Sequence, residues 1–465
     1  MHEKNYLRKL AIIAPYLFFS CGTAKTDFNP MQEQQLTKGQ YGHTLNHTQI
    51  FSPDDRWIVY DTRNHDTHIS RTCCIEKVNV ETREVVRLYS TTNQTVHGPG
   101  VGAAAWNPRG DKIIFIHGLM NCDEQNPYGF ARRFGAIVDD DNHGSITHAE
   151  ARALGGQLVP GALRGGTHAH SWSGDGEWIS FTYNDFIMGQ LEASGKGVKD
   201  LRTIGVMSPA KNVKVPSDNA ENFSGQYFSV VAATVTERPR AGSDEIEKAF
   251  DECWIGANGY LKSDRSRQKR AIAFQGHVRD ANDSLVTEVF VADIPEDVTA
   301  SADGAPLEGT LSSRPCVPEG LVQRRITFTA DRKFPGLQGP RFWLRSSPDG
   351  ALIYFLMKDD DGIVQIWSVP VNGGSIEAVT HLSHSVQSQF NISPDGRSIA
   401  FVADSSIWIT DVSTGESRRV TAAVAGPDAP VGAIVWNHRG DQIAYNRYVS
   451  NGSDRYLQIF TLRVN

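Results

Sequence analysis

The sequence predicts an all-β fold, a seven-bladed β-propeller in which an N-terminal strand closes the last blade. Two recurring patterns and one feature of the chain ends support this prediction. A turn signature recurs along the chain, a strand pattern follows each turn, and the final unit is one strand short. Four short strands repeated about every 45 residues are typical of a propeller blade, whose faces are buried by its neighbours around the ring.

The turn signature predicts where the first two strands of a blade meet. It reads SPDD at 52, NPRG at 107, SGDG at 173, SPDG at 347 and 393, and NHRG at 437. After each turn an isoleucine precedes an aromatic residue by two positions, and a further strand, AIAF at 271 to 274, keeps this pattern without the turn. The isoleucines count seven units: Ile58, Ile113, Ile179, Ile272, Ile353, Ile399 and Ile443.

The chain ends predict how the ring closes. The last unit stops after YLQIFTLRV and therefore lacks a fourth strand. The stretch QEQQLTKG at 32 to 39 resembles the outer strands RRVTAA and RRITFTA of other units. We expect the N-terminal segment to complete the last blade and to join the two ends of the domain.

The long central spacings predict insertions in blades 2 to 4. One lies between Ile113 and Ile179, and another, between Ile179 and Ile272, contains a short helical pattern that begins at Ser243. Loops on a rigid scaffold are frequent positions for functional sites.

The first 21 residues are predicted to be a lipoprotein signal, and residues 22 to 465 a single propeller domain. A basic start is followed by an apolar stretch from Leu10 to Phe19 and by Cys21. An ordinary cleaved signal, with Cys21 incidental, is the alternative. Either reading predicts export, with the protein secreted or lipid-anchored in the cell envelope, and membrane contact only through a lipid on Cys21.

The composition is that of a globular, turn-rich protein, with 42 glycines, 21 prolines and a net charge of −7. This charge argues against a general nucleic-acid binder, which needs a basic surface, so a polyanionic ligand would require a local basic cleft. We expect no nucleic-acid partner and a monomer. The adjacent Cys73 and Cys74 are not expected to bridge each other, and disulfides are not expected to form the framework.

The stretch GTHAHSW, residues 166 to 172, is predicted to be an innermost strand that lines the channel. His168 and His170 lie on alternate positions of it, so they point in turn toward a neighbouring blade and toward the central cavity. Structural histidines that bond backbone groups are the alternative. Other histidines, arginines and tyrosines fall in the inner strands, connections and insertions of the same region, and this mixture predicts an anionic ligand: His43, His47, His97, His148, Arg132, Arg133, Arg164, Arg238, Arg240, Tyr183 and Tyr227.

The repeated turns and strands resemble TolB-like propellers of exported bacterial proteins. GALRGGTHAHSWSGDGEWISFTYND, GSDEI, RRITFT, FPGLQGPRFWLR and the N-terminal QLT strand are similar to an uncharacterised bacterial family of this kind, over residues 33 to 465. The architecture and histidines also resemble propeller-type polysaccharide lyases, especially ulvan lyases and more distantly oligogalacturonate lyases. This resemblance implies a catalytic set of two histidines, a tyrosine and an arginine, at His148, His168, Tyr227 and Arg240. Arg238 competes with Arg240, and Tyr183 with Tyr227.

The implied reaction is β-elimination at a uronic acid in an acidic, possibly sulfated polysaccharide such as ulvan. Arg240 or Arg164 would pair with the carboxylate, His168 or His148 would remove the C5 proton, and Tyr227 would protonate the leaving oxygen. Further substrate-binding residues are expected at Arg164, His170, Tyr183, Arg238 and His97. A hydrolase would need a carboxylate pair that no pattern picks out, and the G-x-S-x-G elbow of serine hydrolases is absent from the sequence.

A zinc site and a non-catalytic function are further hypotheses. Cys253, His277 and Cys316, with His381 or His384 as a fourth ligand, would hold a structural zinc ion in the fourth unit. Three unrelated buried residues are the alternative, and no organic cofactor is expected. The second class of function is a non-catalytic propeller that binds envelope proteins or peptides, as TolB-like domains do.

Overall fold

The structure is a computed structural model that describes residues 1, 30 to 341 and 343 to 464. The predicted signal and Cys21 lie outside the described residues and stay a prediction. Residues 31 to 465 form one compact unit, the propeller. Among the described residues, no helix is long and apolar enough to cross a membrane.

The described residues form a seven-bladed β-propeller, as the sequence predicts. Blade 1 consists of Trp57–Asp61, Cys74–Asn79 and Val85–Ser90, and isolated bridges from Thr44 and Phe51 form its inner edge. Blade 2 consists of Val101–Trp106, Lys112–Gly118, Arg133–Asp139 and Asn142–His148. Blade 3 consists of Gly165–Trp172, Ile179–Asp185, Thr203–Ser208 and Phe228–Val231. Blade 4 consists of Ala249–Trp254, Ala271–Arg279, Leu285–Asp293 and Val322–Arg325.

The remaining blades are more regular. Blade 5 consists of Arg345–Ser346, Leu352–Lys358, Val364–Pro370 and Glu377–Ala378. Blade 6 consists of Asn391–Ile392, Ser398–Ala403, Ser406–Asp411 and Ser417–Arg419. Blade 7 consists of Pro430–Trp436, Gln442–Asn451, Asp454–Arg463 and, from the N-terminus, Glu33–Gln35. Within each blade the strands pair antiparallel.

Small elements decorate the connections. Two short ladders pair Ala151–Arg152 with Ala162–Leu163 and Tyr260–Leu261 with Arg267–Gln268. Three 3-10 turns cover Ile69–Arg71, Ala302–Gly304 and Gly426–Asp428, and the α-helix Phe186–Ala193 begins after Asp185, whose carboxylate accepts from the Met188 amide at 3.0 Å. The helix predicted at Ser243 is wrong. The Ser243 hydroxyl donates to the Arg240 carbonyl at 2.7 Å, so it closes a turn instead of capping a helix.

The recurring turn is stabilised by its own side chains. In blade 3 the Ser173 hydroxyl donates to Asp175 at 2.5 Å and accepts from the Trp178 amide at 3.0 Å, while Gly176 takes a positive φ of 74°. The seven isoleucines of the repeated strand pattern have no exposed surface. Local turn chemistry and strand alternation therefore act together in each blade.

The ring closes through the N-terminal strand, as predicted. Residues 33 to 35 pair with Phe460 to Leu462, and Leu36 is buried in the core shared by blades 7 and 1. On the other side of the same junction, Asp55 accepts from the backbone amides of His438 and Arg439 at 2.8 and 3.1 Å. The closure thus joins both ends of the chain by a ladder, a core residue and a buried carboxylate.

The two faces of the propeller are defined by the direction of the strands. We call the face where innermost strands begin and second strands end the upper face, and the recurring turns lie on the lower face. Four innermost strands carry a β-bulge, at Ala103, Ala169, Asp251 and Gly432, each of which has a positive φ. In blade 3 this bulge lies between His168 and Ser171, so the simple alternation expected for His168 and His170 does not hold there.

The expectation that Cys73 and Cys74 do not bridge each other is wrong. Cys73 and Cys74 are joined in a disulfide at the start of the strand Cys74–Asn79 of blade 1. Cys122, Cys253 and Cys316 are free thiols.

Candidate functional site

The upper end of the channel brings basic side chains of blades 1 to 5 together. Each comes from the beginning of a strand or from a connection on the upper face. The mouth cluster, as we call this set, consists of Arg63, Arg133, Arg202, Lys248, Arg341 and Arg345. A local basic site on an acidic protein is what an anionic ligand requires.

Part of the cluster is neutralised within the protein. Asp61 accepts from Nε and Nη2 of Arg63 at 2.6 and 2.8 Å. Asp66 pairs with Arg341 at 2.7 Å and with Arg63 at 3.3 Å. These carboxylates neutralise Arg63 and Arg341, whereas among the described residues no salt bridge pairs the other four cations of the cluster.

Arg133 is the least satisfied of these cations. Its side chain is buried, and Nη1 donates to the Tyr128 hydroxyl at 3.0 Å. Its Nε and Nη2 have no hydrogen-bond partner among the described residues. A buried guanidinium without an anion is costly, because its donors and its charge are both removed from water. Arg133 is therefore a buried cation without a compensating anion among the described residues.

Arg202 shares an aromatic ring with Arg133. The two guanidinium carbons lie 5.0 and 5.3 Å from the centre of the Phe130 ring, which is 60% exposed. Arg202 Nε also donates to the Asn184 side chain at 3.2 Å. Burial and the neighbouring Arg133 lower the pKa of Arg202, and an anion placed between the two cations would relieve their repulsion.

His168 lies beside this pair. Burial lowers the pKa of its imidazole well below the usual range, and Arg133 and Arg202 add to the shift. The ring is therefore neutral at pH 7, and its Nδ1 has no partner among the described residues. A neutral imidazole with a free nitrogen can accept a proton, and two nearby cations can stabilise negative charge that develops on a ligand.

Asp251 places a carboxyl group inside the same basic region. It occupies the bulge of blade 4 with a φ of 52°. Burial raises its pKa to about 6, while Arg341, Arg202, Lys248 and Arg345 oppose the shift. Asp251 is thus the acidic counterpart of the mouth cluster on the blade 4 side.

The channel is crossed by side chains just inside its mouth. Arg345 of blade 5 donates from Nη2 to the His47 carbonyl of blade 1 at 3.0 Å and from Nε to Asn391 of blade 6 at 2.5 Å. Trp343 stacks on the His47 ring with centroids 4.1 Å apart. Because blades 1 and 5 are not neighbours, these contacts span the channel and give the mouth a floor.

The structure does not bring three predicted catalytic residues to His168. His148 ends the outermost strand of blade 2 and stacks on Phe223 with centroids 4.2 Å apart. Tyr227 is buried in the core between blades 2 and 3, and Arg240 is on an exposed loop, paired with Glu245 at 3.3 Å. No hydrogen bond or ring contact joins them to His168 among the described residues.

The predicted binding residues Arg164 and Tyr183 are structural supports. Arg164 is buried, donates to Asp185 at 2.8 Å, and holds the blade 4 insertion through the carbonyls of Thr310 and Ser313. Tyr183 donates to the same Asp185 at 3.3 Å. Their polar groups are occupied within the protein, which is why they do not face a ligand.

His170 belongs to a buried network between blades 2 and 3. Its Nε2 lies 2.9 Å from the Thr167 hydroxyl, which donates to Glu150 at 2.5 Å. Burial lowers the pKa of His170 to about 3 and raises that of Glu150 to about 7. The bulge directs His170 into this interface.

The other two predicted binding residues lie at the surface. Arg238 is exposed on the connection before blade 4. His97 is half-buried on the upper face, where its carbonyl accepts from the Tyr128 amide at 2.7 Å. Through Tyr128, His97 adjoins the mouth cluster.

The four predicted zinc ligands do not form one set. Cys253 lies in the innermost strand of blade 4, and burial raises its thiol pKa to about 12. His277 packs edge-on against Phe250, Cys316 lines a cavity beneath the blade 4 insertion, and His384 is exposed with Ser383. In the described part of the chain, no group of three or more His, Cys, Asp or Glu residues could hold a metal ion.

Sequence reasoning missed most of the mouth cluster. Arg133 stood out only as one of several insertion arginines, and Arg202, Lys248, Asp251 and Arg345 were not considered. The sequence does contain a signal for them, because several of these residues lie in or just before the first residues of an innermost strand. Aligning the blades at that point would have placed them on one face.

The fold and the site together define a seven-bladed β-propeller with a basic cluster at one end of its channel. The chain is 36% identical over 416 residues to "Uncharacterized protein YidR" of Escherichia coli (strain K12), a match that covers 89% of this chain and 94% of that protein. The chain therefore belongs to the YidR family. A family model described as "Protein of unknown function (DUF3748)" matches residues 100–223, the part that contains Tyr128, Arg133, His168 and Arg202.

Solved propellers resemble the chain at low identity. "Oligogalacturonate lyase in complex with manganese" has 11% identity and a TM-score of 0.49, with 94% of this chain and 93% of that chain covered. TolB from Acinetobacter baumannii has 14% identity and a TM-score of 0.36, with 89% and 83% covered. These similarities do not assign a function to any residue of this chain.

Proposed function

We propose that the channel mouth binds a uronate-containing acidic polysaccharide and cleaves it by β-elimination. The observation that carries the proposal is the buried Arg133, which has two unpartnered nitrogens, next to the neutral and partly exposed imidazole of His168. A carboxylate fits the planar guanidinium donors in a bidentate manner. The proposal replaces the predicted Arg240 and Tyr227 by Arg133 and Tyr128.

The residues of the mouth have separate roles in this reaction. The His168 imidazole takes the C5 proton of the uronate, and the electrons of the C5–H bond form the C4–C5 double bond as the C4–O4 bond breaks. Tyr128, whose hydroxyl lies 3.0 Å from Arg133 Nη1, donates a proton to the departing O4. The proton on His168 returns to Tyr128 through solvent. Arg133 and Arg202 stabilise the charge that develops on the carboxylate.

The substrate is expected outside the cytoplasm. This part of the proposal rests on the predicted signal and lipobox at Cys21, and an ulvan-like sulfated glycan is the substrate that the sequence resemblance favours. A monomer with a lipid anchor would act on such a glycan at the cell surface or in the periplasm.

The test is turnover of a panel of uronate polysaccharides, measured by the ultraviolet absorbance of the unsaturated product. His168→Asn should reduce turnover by about 10²- to 10⁴-fold, as expected for loss of a general base. Arg133→Lys keeps the positive charge but removes the planar pair of guanidinium donors, and should reduce turnover by about 10²-fold.

Matched controls exist for both variants. His148→Ala and Arg240→Ala remove the same residue types at positions away from the mouth, and should retain turnover. Normal turnover in folded His168→Asn would refute the assigned base. Loss of turnover in His148→Ala with an unchanged melting temperature would instead assign the catalytic role to His148, at the outermost strand of blade 2.

A non-catalytic binding function is the second candidate, and exposed apolar residues favour it. Val96, Met120 and Phe130 are 55 to 60% exposed on two connections of blade 2, which are joined by the Tyr128 amide and the His97 carbonyl. Such residues suit a peptide partner. Absence of turnover on every glycan, together with binding of an acidic peptide that Arg133→Lys weakens, would support this function.

A further inference from the structure

A cavity separate from the channel mouth lies between blade 3 and the long insertion of blade 4. The insertion connects Leu285–Asp293 to Val322–Arg325, and its residues 302 to 317 form one wall. Blade 3 contributes the opposite wall, which includes Met188, Val231 and Ala233. The cavity has a volume of about 230 Å³ and reaches the surface at Thr234 and Ala302, which are exposed.

The wall formed by the insertion is fixed in place. Arg164 donates from Nη2 to the Ser313 carbonyl at 2.5 Å, and Arg314 donates from Nη2 to the Lys199 carbonyl at 2.7 Å and to Glu237 at 2.5 Å. The carbonyl of Ala300 accepts from the Glu319 amide at 3.0 Å and closes the base of the loop. The space is therefore formed before any ligand enters, which reduces the cost of binding.

The size and lining of the cavity limit what it can hold. An apolar cavity of roughly 150 Å³ accommodates benzene, so this one has room for an aromatic ring with about three further atoms. Most lining side chains are apolar, among them Leu201, Val235 and Val317. A small, largely apolar molecule matches this surface.

The polar groups of the wall select a neutral molecule. Arg314 is already paired with Glu237, and Asp185 is paired with Arg164, so an added charge of either sign would meet a like charge. Asp200 accepts from Asn184 and from the Asp185 amide, both at 2.9 Å. Nη2 of Arg314 is occupied by the Lys199 carbonyl and Glu237, so Nη1 is the donor that remains for a ligand in the cavity that Arg314 lines.

We propose that this cavity is a binding site for a small neutral aromatic or alicyclic molecule whose single carbonyl or ether oxygen accepts a hydrogen bond from Arg314. The site is distinct from the mouth cluster, and it does not depend on the proposed lyase function. Cys316 reports on occupancy, because its half-buried thiol lines the cavity.

The experiment uses the full chain and four matched probes: acetophenone, ethylbenzene, phenylacetate and phenethylamine. The rate at which N-ethylmaleimide alkylates Cys316 is followed by peptide mass spectrometry. Acetophenone should slow this reaction at least about fivefold, with a half-maximal effect near 1 mM, a value reasonable for about nine heavy atoms. Ethylbenzene, which lacks the oxygen, should bind about 3- to 10-fold more weakly.

Two variants and a control localise the effect. Ala305→Trp fills the cavity from its half-buried insertion wall, so acetophenone should no longer raise the melting temperature. Ala300→Trp, outside the stretch that lines the cavity, should leave that shift intact. Arg314→Lys retains the pair with Glu237 but lacks the second terminal nitrogen of the guanidinium, and should remove the preference for acetophenone over ethylbenzene.

Several results would overturn the proposal. Unchanged Cys316 alkylation at 10-fold the expected half-maximal concentration of acetophenone would exclude the site. Equal protection by phenylacetate or phenethylamine would refute the choice of a neutral ligand. Since none of these readouts measures turnover, a failure here and a failure of the lyase assay are distinguishable.

Discussion

Replacing Glu252 with glutamine should change how stability depends on pH. Glu252 lies in the innermost strand of blade 4 and is 1% exposed. Thr182 donates to its Oε2 at 2.7 Å, while Oε1 has no partner among the described residues. Burial raises the pKa of this carboxyl to about 8 from an ordinary 4.5.

The sign follows from where the proton is bound. The folded protein keeps the proton to about pH 8, whereas the unfolded chain releases it near pH 4.5. The contribution of Glu252 is therefore most favourable below pH 4.5, and it is lost as the pH rises from 4.5 to about 8. At about 1.4 kcal/mol for each pKa unit, the loss is about 2 kcal/mol at pH 6 and about 4 kcal/mol at pH 8.

Glutamine removes this penalty with little change in shape. Its oxygen can accept from Thr182, and its amide can donate to the neighbouring Ser180 hydroxyl, which has no hydrogen-bond partner among the described residues. Glu252→Gln should therefore be more stable than the wild type at pH 8 by a few kcal/mol, and the difference should shrink toward pH 5.

Urea unfolding at pH 5, 6, 7 and 8 measures the difference. Glu252→Asp retains an ionisable group and serves as the control, because it should keep the pH dependence of the wild type. Parallel stability curves for the wild type and Glu252→Gln would refute the reasoning and show that this carboxylate is ionised in the folded protein.

Three further predictions concern ring closure and the cysteines. Leu36→Ala should lower the free energy of unfolding by about 2 to 5 kcal/mol, because truncation of this buried side chain next to the closing strand leaves a cavity. Deletion of residues 22 to 39 should lower it further. An unchanged urea midpoint in either variant would contradict this prediction. Asp55→Asn keeps the positive-φ position but weakens the bonds to His438, and should cost about 1 to 3 kcal/mol in the same assay. Alkylation of the unfolded, unreduced protein should leave Cys73 and Cys74 unlabelled, whereas labelling of either would argue against their disulfide.

The blade pattern was predictable because its causes are local. The Ser173 turn is held by hydrogen bonds among residues five positions apart, and Ile179 is buried through strand alternation. The N-terminal strand could be assigned because the last unit visibly lacked one. Long-range closure thus followed from counting strands.

The functional residues were less predictable. His168 could be placed on an innermost strand, but the bulge at Ala169 decides which surfaces His168 and His170 meet. His148 looked equivalent in sequence, and only strand order shows that it ends the outermost strand of blade 2. The position of each histidine relative to the repeated turns did not show that His148 and His168 lie in different parts of their blades.

The sequence by itself determined the repeat, the number of blades, their buried strands and the means of closure, since turn hydrogen bonds and alternation act over about ten residues. The tertiary structure alone decided the site. Arg63, Arg133, Arg202 and Arg345 belong to different blades, and they share one channel mouth only because the ring closes. Whether each of these charges is paired likewise depends on which carboxylates the fold brings beside it, a property that no local stretch of the chain contains.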